Sequence, residues 1–78
     1  LIIDEIENNL QYLVQEQNER KLIITVHPFL YSHLTRGLLS VRFKWAWQYK
    51  CKISIKPMSS HHFLEYHFFN KNNDELKM

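Results

Sequence analysis

The apolar residues of this chain change period along its length, and each change marks where one kind of element gives way to another. Ile3, Ile6, Leu10, Leu13 and Val14 are spaced by three and four, the stripe of an amphipathic helix. Asp4, Glu5 and Glu7 fall in its first turns, where acids complement the positive end of the helix dipole. Leu22-Ile23-Ile24-Thr25-Val26 then runs almost without a break in β-branched and apolar residues, the pattern of a strand covered on both faces. His27-Pro28 closes it. Proline favours a first helical position, which predicts a helix through Phe29, Leu30, His33 and Leu34. Gly37, the only glycine, is its natural stop.

The centre supports two periods at once. Val41, Phe43, Trp45, Trp47, Tyr49, Cys51, Ile53 and Ile55 alternate with mostly polar residues, whereas Leu38, Val41, Trp45 and Tyr49 fit a helical stripe that Ser40 would cap. One strand over that whole alternation would far exceed the usual length of roughly 3–10 residues. The expectation is therefore a short helix up to about Tyr49, then a strand from Cys51 to Lys56. Pro57-Met58-Ser59-Ser60 reads as a turn. Phe63 to Phe69 reads as a second alternating strand with Leu64, Tyr66 and Phe68 on one face. Asn70 to Asp74 reads as a tight hairpin turn, since asparagine tolerates positive φ, and a short last strand from Glu75 to Met78 would follow it. The fold class is α+β: one small domain, 1–78, in the order helix, strand, helix, helix, strand, strand, with that short terminal strand. Its expected packing framework is Ile3, Ile6, Leu10, Leu13, Ile24, Val26, Leu34, Trp45, Ile53, Ile55, Tyr66 and Phe68.

Charge is segregated along the same chain. Residues 1–19 carry −5, residues 20–56 carry +8 with no acid, and residues 57–78 carry −1. Within the basic stretch lies Arg42-Phe43-Lys44-Trp45-Ala46-Trp47-Gln48-Tyr49-Lys50, which holds both tryptophans. Basic residues interleaved with planar side chains suit a phosphate backbone with unpaired bases. The candidate RNA-binding residues are Arg36, Arg42, Lys44, Lys50, Lys52 and Lys56. Lys52, Ser54 and Lys56 share one face of the expected strand, opposite Cys51, Ile53 and Ile55. That basic stripe either meets RNA phosphates or pairs with the acidic first helix of the same or a partner chain.

Other chemistries have weaker support. Gly37 stands alone, which excludes a glycine-rich phosphate loop. The segment 21–64 has no carboxylate, so the clustered acids of a two-metal nuclease are missing and no catalytic residue is assigned. Five histidines raise the question of a metal. His61, His62 and His67, with Cys51 on a neighbouring strand, would be the donors, but they follow no established ligand spacing, and no metal ligand is assigned. A histidine pair acting as acid and base is conceivable in principle, yet nothing in the spacing singles one out. Lys50 and Lys52 beside Cys51 would lower its thiol pKa. One cysteine also precludes an internal disulfide, in keeping with a cytoplasmic protein. Neither a signal peptide nor a membrane span is expected, and a chain opening in mid-pattern on Leu1-Ile2-Ile3 reads as part of something longer. A core this small rarely leaves more than roughly 3–5 kcal/mol of net stability, so association with another chain is expected.

Several stretches resemble a known family. Thr25-Val26-His27-Pro28, Leu34-Thr35-Arg36-Gly37, Lys44-Trp45 with Tyr49-Lys50, Ile53-Ser54-Ile55-Lys56 and the closing run from Glu65 to Met78 are similar to the C-terminal end of ribonuclease E/G family proteins, most of all the ribonuclease G branch of Bacteroidetes. The resemblance spans essentially the whole chain. It implies an endoribonuclease that cleaves single-stranded RNA, with magnesium held by acidic residues of a separate nuclease core and, in some members, a zinc link made by cysteines. This chain would be the small α+β domain after those parts, serving subunit assembly in a homo-oligomer and shaping the RNA path. Neither the magnesium-binding acids nor the zinc-link cysteines have counterparts here, so the resemblance implies no cofactor for this segment itself. The tryptophan-rich centre departs from the proteobacterial enzymes, and their subunit contacts are not carried over.

Overall fold

The computed structural model describes residues 1–37 and 40–77. It contains α1 (Ile2–Gln15), β1 (Lys21–Val26), α2 (Pro28–Thr35), α3 (Val41–Tyr49), β2 (Lys52–Pro57), β3 (Tyr66–Phe69) and β4 (Glu75–Leu76). Leu38 of the expected helical stripe and Met78 of the expected last strand lie outside the described residues. No helix among the described residues is long and apolar enough to cross a membrane.

Local chemistry accounts for the element boundaries. α2 opens at Pro28, and the His27 side chain accepts a hydrogen bond from the Phe29 N–H (3.1 Å). In the ambiguous centre the helical period prevails up to Tyr49. Ser40 caps α3, its Oγ accepting from the Phe43 N–H at 3.1 Å. Lys50 then turns left-handed (φ 54°) to end the helix, which places the strand at Lys52–Pro57. Gly37 has φ 79°, a left-handed turn that follows α2. At the end of α1 the Arg20 guanidinium donates to the Val14 carbonyl at 3.0 Å, serving a helix terminus that has no basic residue in its last turn.

The sheet runs in the order β2-β1-β3-β4, with β1 and β2 parallel and the other two pairs antiparallel. The connection from β1 to β2 passes through α2 and α3. One face of the sheet presents Leu22, Ile24 and Val26 of β1, Ile53 and Ile55 of β2, and Phe68 of β3, all buried. Ile6, Leu10, Leu13 and Val14 of α1, Leu30 and Leu34 of α2, and Trp45 of α3 join them in one core. All three helices thus cover the same side. Tyr66 donates to Glu5 Oε2 (2.6 Å) and Tyr49 donates to Glu7 Oε2 (2.8 Å), tying β3 and α3 to α1.

Three expectations need correction. Ile3 and Tyr66 are half-buried rather than central, and Leu22 and Leu30 take places in the core instead. β1 is covered by helices on one face only: Ile23 is half-buried, and Thr25 is shielded by a loop rather than a helix. The second alternating strand begins at Tyr66, not Phe63. The topology explains that shortening. β2 and β3 lie on opposite sides of β1, so the chain leaving Pro57 must cross the Val26 end of β1 to reach Tyr66. Residues 58–65 make that crossing as turns. Phe63 stacks on His27 (ring centroids 5.5 Å apart), and Leu64 is 64% exposed.

Candidate nucleic-acid interface

Strand alternation puts on the uncovered face every residue that the core does not take. Register then arranges them in rows. Lys52 of β2 is opposite Lys21 of β1. Ser54 is opposite Ile23, which is opposite Phe69 of β3 and, beyond it, Glu75 of β4. Lys56 is opposite Thr25, which is opposite His67. Lys21, Lys52, Ser54 and Lys56 are exposed, and Phe69 is half-buried beside Ile23. β1 and β2 therefore present three lysines to solvent and no carboxylate on this face.

The electrostatics favour an external anion. Two like charges directly across a ladder repel, costing up to roughly 1 kcal/mol, so Lys21 beside Lys52 is an unfavourable pair in the isolated chain. Every ion pair among the described residues involves a histidine; no lysine or arginine there lies against a carboxylate. The acidic α1 does not neutralise the stripe within the chain: Glu5 and Glu7 accept from Tyr66 and Tyr49 on the covered side.

The six basic residues picked from the sequence do not form one surface. Lys52 and Lys56 lie together on the uncovered face. Lys50 is exposed at the corner between α3 and β2, and Arg36 is the exposed C-cap of α2. Lys44 lines a shallow cleft on α3 with Phe43, Trp47 and Gln48. Arg42 is committed internally, donating from Nη1 to the Ile53 carbonyl at 3.1 Å. Lys21 was missed because only the parallel register, set by a pairing across 31 positions, brings it opposite Lys52. Trp45 of the tryptophan pair is core, while Trp47 is 78% exposed.

The histidines gather in a way the sequence did not indicate. His61, Glu65 and His67 bring their donor atoms within 4.8 Å of one another. Neither His62 nor Cys51 belongs to this group; β1 separates the Cys51 end of β2 from β3. Hydrogen bonds from the His62 backbone N–H and from His67 pull the Glu65 carboxyl down to about 2. His67 is raised, chiefly by its hydrogen bond to Glu65 and then by Glu75, against the opposing effect of burial. Burial pushes the Cys51 thiol up, outweighing the lowering influence of Arg20, so the expected activation by Lys50 and Lys52 is not what governs it. His61, Glu65 and His67 are the one donor group among the described residues, and they are nitrogen-rich. The carboxylate-held magnesium implied by the family resemblance has no seat in them.

No protein-family model, curated protein or solved structure matches the chain.

Proposed function

We propose that this chain is the non-catalytic C-terminal domain of a cytoplasmic ribonuclease E/G-type endoribonuclease, and that its uncovered sheet face carries single-stranded RNA. The observation that supports this most directly is the carboxylate-free lysine face of β1 and β2, with Lys21 and Lys52 side by side and Lys56 two rows on. A phosphate chain laid along it relieves their repulsion and releases counterions. Phe69, in the row between the lysines and beside Ile23, supplies an apolar, planar floor for a base. Two of the stretches that resemble the family fall on the frame of this surface: Thr25 to Pro28 joins β1 to α2, and Ile53 to Lys56 lies in β2.

Self-association is the second role, favoured by a separate observation. Phe43 and Trp47 of α3 are 42% and 78% exposed around Lys44, on the side away from the lysine face. Large exposed aromatics of this kind anchor protein interfaces.

Labelled single-stranded RNA titrated with the chain at two salt concentrations tests the first role. Three neutralised phosphates give a slope of about −2 in log affinity against log salt. The triple variant Lys21→Glu, Lys52→Glu, Lys56→Glu should lose the binding, whereas Arg36→Glu should keep most of it. Binding that is insensitive to salt, or undiminished in the triple variant, would remove the RNA reading. Light scattering on the same samples, with Trp47→Ser as the variant, decides self-association.

A further inference from the structure

We propose that His61, Glu65 and His67 form an open, three-ligand site for a zinc ion at the edge of the uncovered sheet face. Each imidazole turns a different nitrogen inward. His67 Nε2 is 2.8 Å from Glu65 Oε2, and His61 Nδ1 is 3.6 Å from the same oxygen. The remote nitrogens are already engaged. His67 Nδ1 meets Glu75 Oε2 at 2.9 Å, and His61 Nε2 meets Thr25 Oγ1 at 2.9 Å. A histidine that binds zinc through one nitrogen almost always donates the other N–H to a carboxylate, backbone carbonyl or water, which fixes the ring and its tautomer; the Thr25 hydroxyl takes that place for His61. Both rings here have that second partner, supplied by two different strands.

Zinc also fits the spacing. Bonds of roughly 2.0–2.1 Å in a tetrahedron set ligand atoms about 3.3 Å apart, and the two inner separations of 2.8 and 3.6 Å bracket that value. The rings stand edge to face with centroids 5.1 Å apart, and the donor atoms of the three residues all lie within 4.8 Å of one another. Glu65 lies in the crossing segment just before β3, where a carboxylate can shift by a few tenths of an ångström without disturbing the sheet. Its other oxygen, Oε1, is held by the His62 N–H at 3.0 Å, so Oε2 is the oxygen presented to the ion. Two imidazoles and one carboxylate leave the fourth position to water, as in open zinc sites. On binding, the ion takes the place of the proton that bridges His67 and Glu65, so uptake releases a proton. A strand from Phe63 to Phe69 would leave His61 outside it; the crossing turn instead brings together the His61-x3-Glu65-x-His67 spacing.

The site stands independently of the RNA reading, and metal binding alone tests it. Zinc chloride titrated calorimetrically into the chain, with cobalt(II) absorption as a spectroscopic stand-in, should show one site per chain with tetrahedral cobalt bands. Glu65→Gln and His67→Ala should abolish it, and Glu75→Gln should weaken it by about 10- to 100-fold by releasing the His67 ring. His62→Ala should leave it unchanged. No binding, or binding of equal strength in both Glu65→Gln and His67→Ala, would overturn the proposal. Should those variants fail to fold, the imidazole resonances of the unaltered chain decide. Shifts of both His61 and His67 at one equivalent of zinc uphold the site, and their staying in place refutes it.

Discussion

Phe68 shows how much one residue carries in a domain this small. It is 1% exposed, lies on the strand that joins β1 to β4, and packs into the core. Truncating a buried phenylalanine to alanine costs roughly 3–5 kcal/mol, comparable to the whole stability expected of such a core. Phe68→Ala should therefore leave the chain largely unfolded at 25 °C, as read by denaturant titration of the far-ultraviolet signal. Ser40→Ala removes one cap bond and should cost only about 1 kcal/mol, seen as a lower denaturation midpoint at unchanged slope. Most of the core was legible residue by residue, because Ile6, Leu10, Ile24, Val26 and Phe68 sit where a simple period puts them. Tyr66 was harder to read. Its ring is apolar enough to count as core, but its hydroxyl accepts from Asn9 (2.7 Å) and donates to Glu5, which holds it at the rim.

At the level of elements, β2 is an edge strand with one guarded side. Its even-numbered residues bond β1, so Ile53 and Ile55 turn their backbone groups outward. Arg42 takes the Ile53 carbonyl, and Pro57 has no N–H to offer. Lys52 and Lys56 flank that edge with charge, a combination that discourages another strand from pairing there. Arg42→Gln should cost about 1 kcal/mol, speed hydrogen exchange at the Ser54 amide, which faces β1, and raise light scattering on prolonged warming. The Ser40 cap, the helix start at Pro28 and the hairpin turn at Asn70–Asp74, with Asn73 at φ 66°, followed from sequence because their causes lie within a few residues. The crossing segment did not. Phe63 and Leu64 alternate as a strand would, and only the placement of β1 between β2 and β3 shows that those residues are needed to step across.

Over the whole molecule, two tyrosines fasten α3 and β3 to acids of α1, and both titrate late. Burial first, and then the nearby carboxylates of Glu7 and Glu5, raise Tyr49 and Tyr66 from the ordinary value of 10 to about 12. A group whose folded value lies above its unfolded value gives its full contribution below the unfolded value and loses it as pH rises through the folded one. The domain should thus be indifferent to these two groups up to about pH 10 and lose stability between about pH 10 and 12, followed by tyrosinate absorbance alongside thermal melts. Tyr49→Phe and Tyr66→Phe together should flatten that loss. The candidate RNA face was half legible: Lys52 and Lys56 follow from strand alternation, Lys21 depends on long-range register, and the His61–Glu65–His67 group depends on the turns of the crossing segment. The same alternation has a consequence for descent with modification. Along β1 and β2, residues that hold the molecule together interleave with residues outside the core, so lineages can exchange Lys21 or Ser54, or swap Lys52 and Lys56 for other charged residues, while the interior stays constant. The charge of this face can drift at almost no risk to folding.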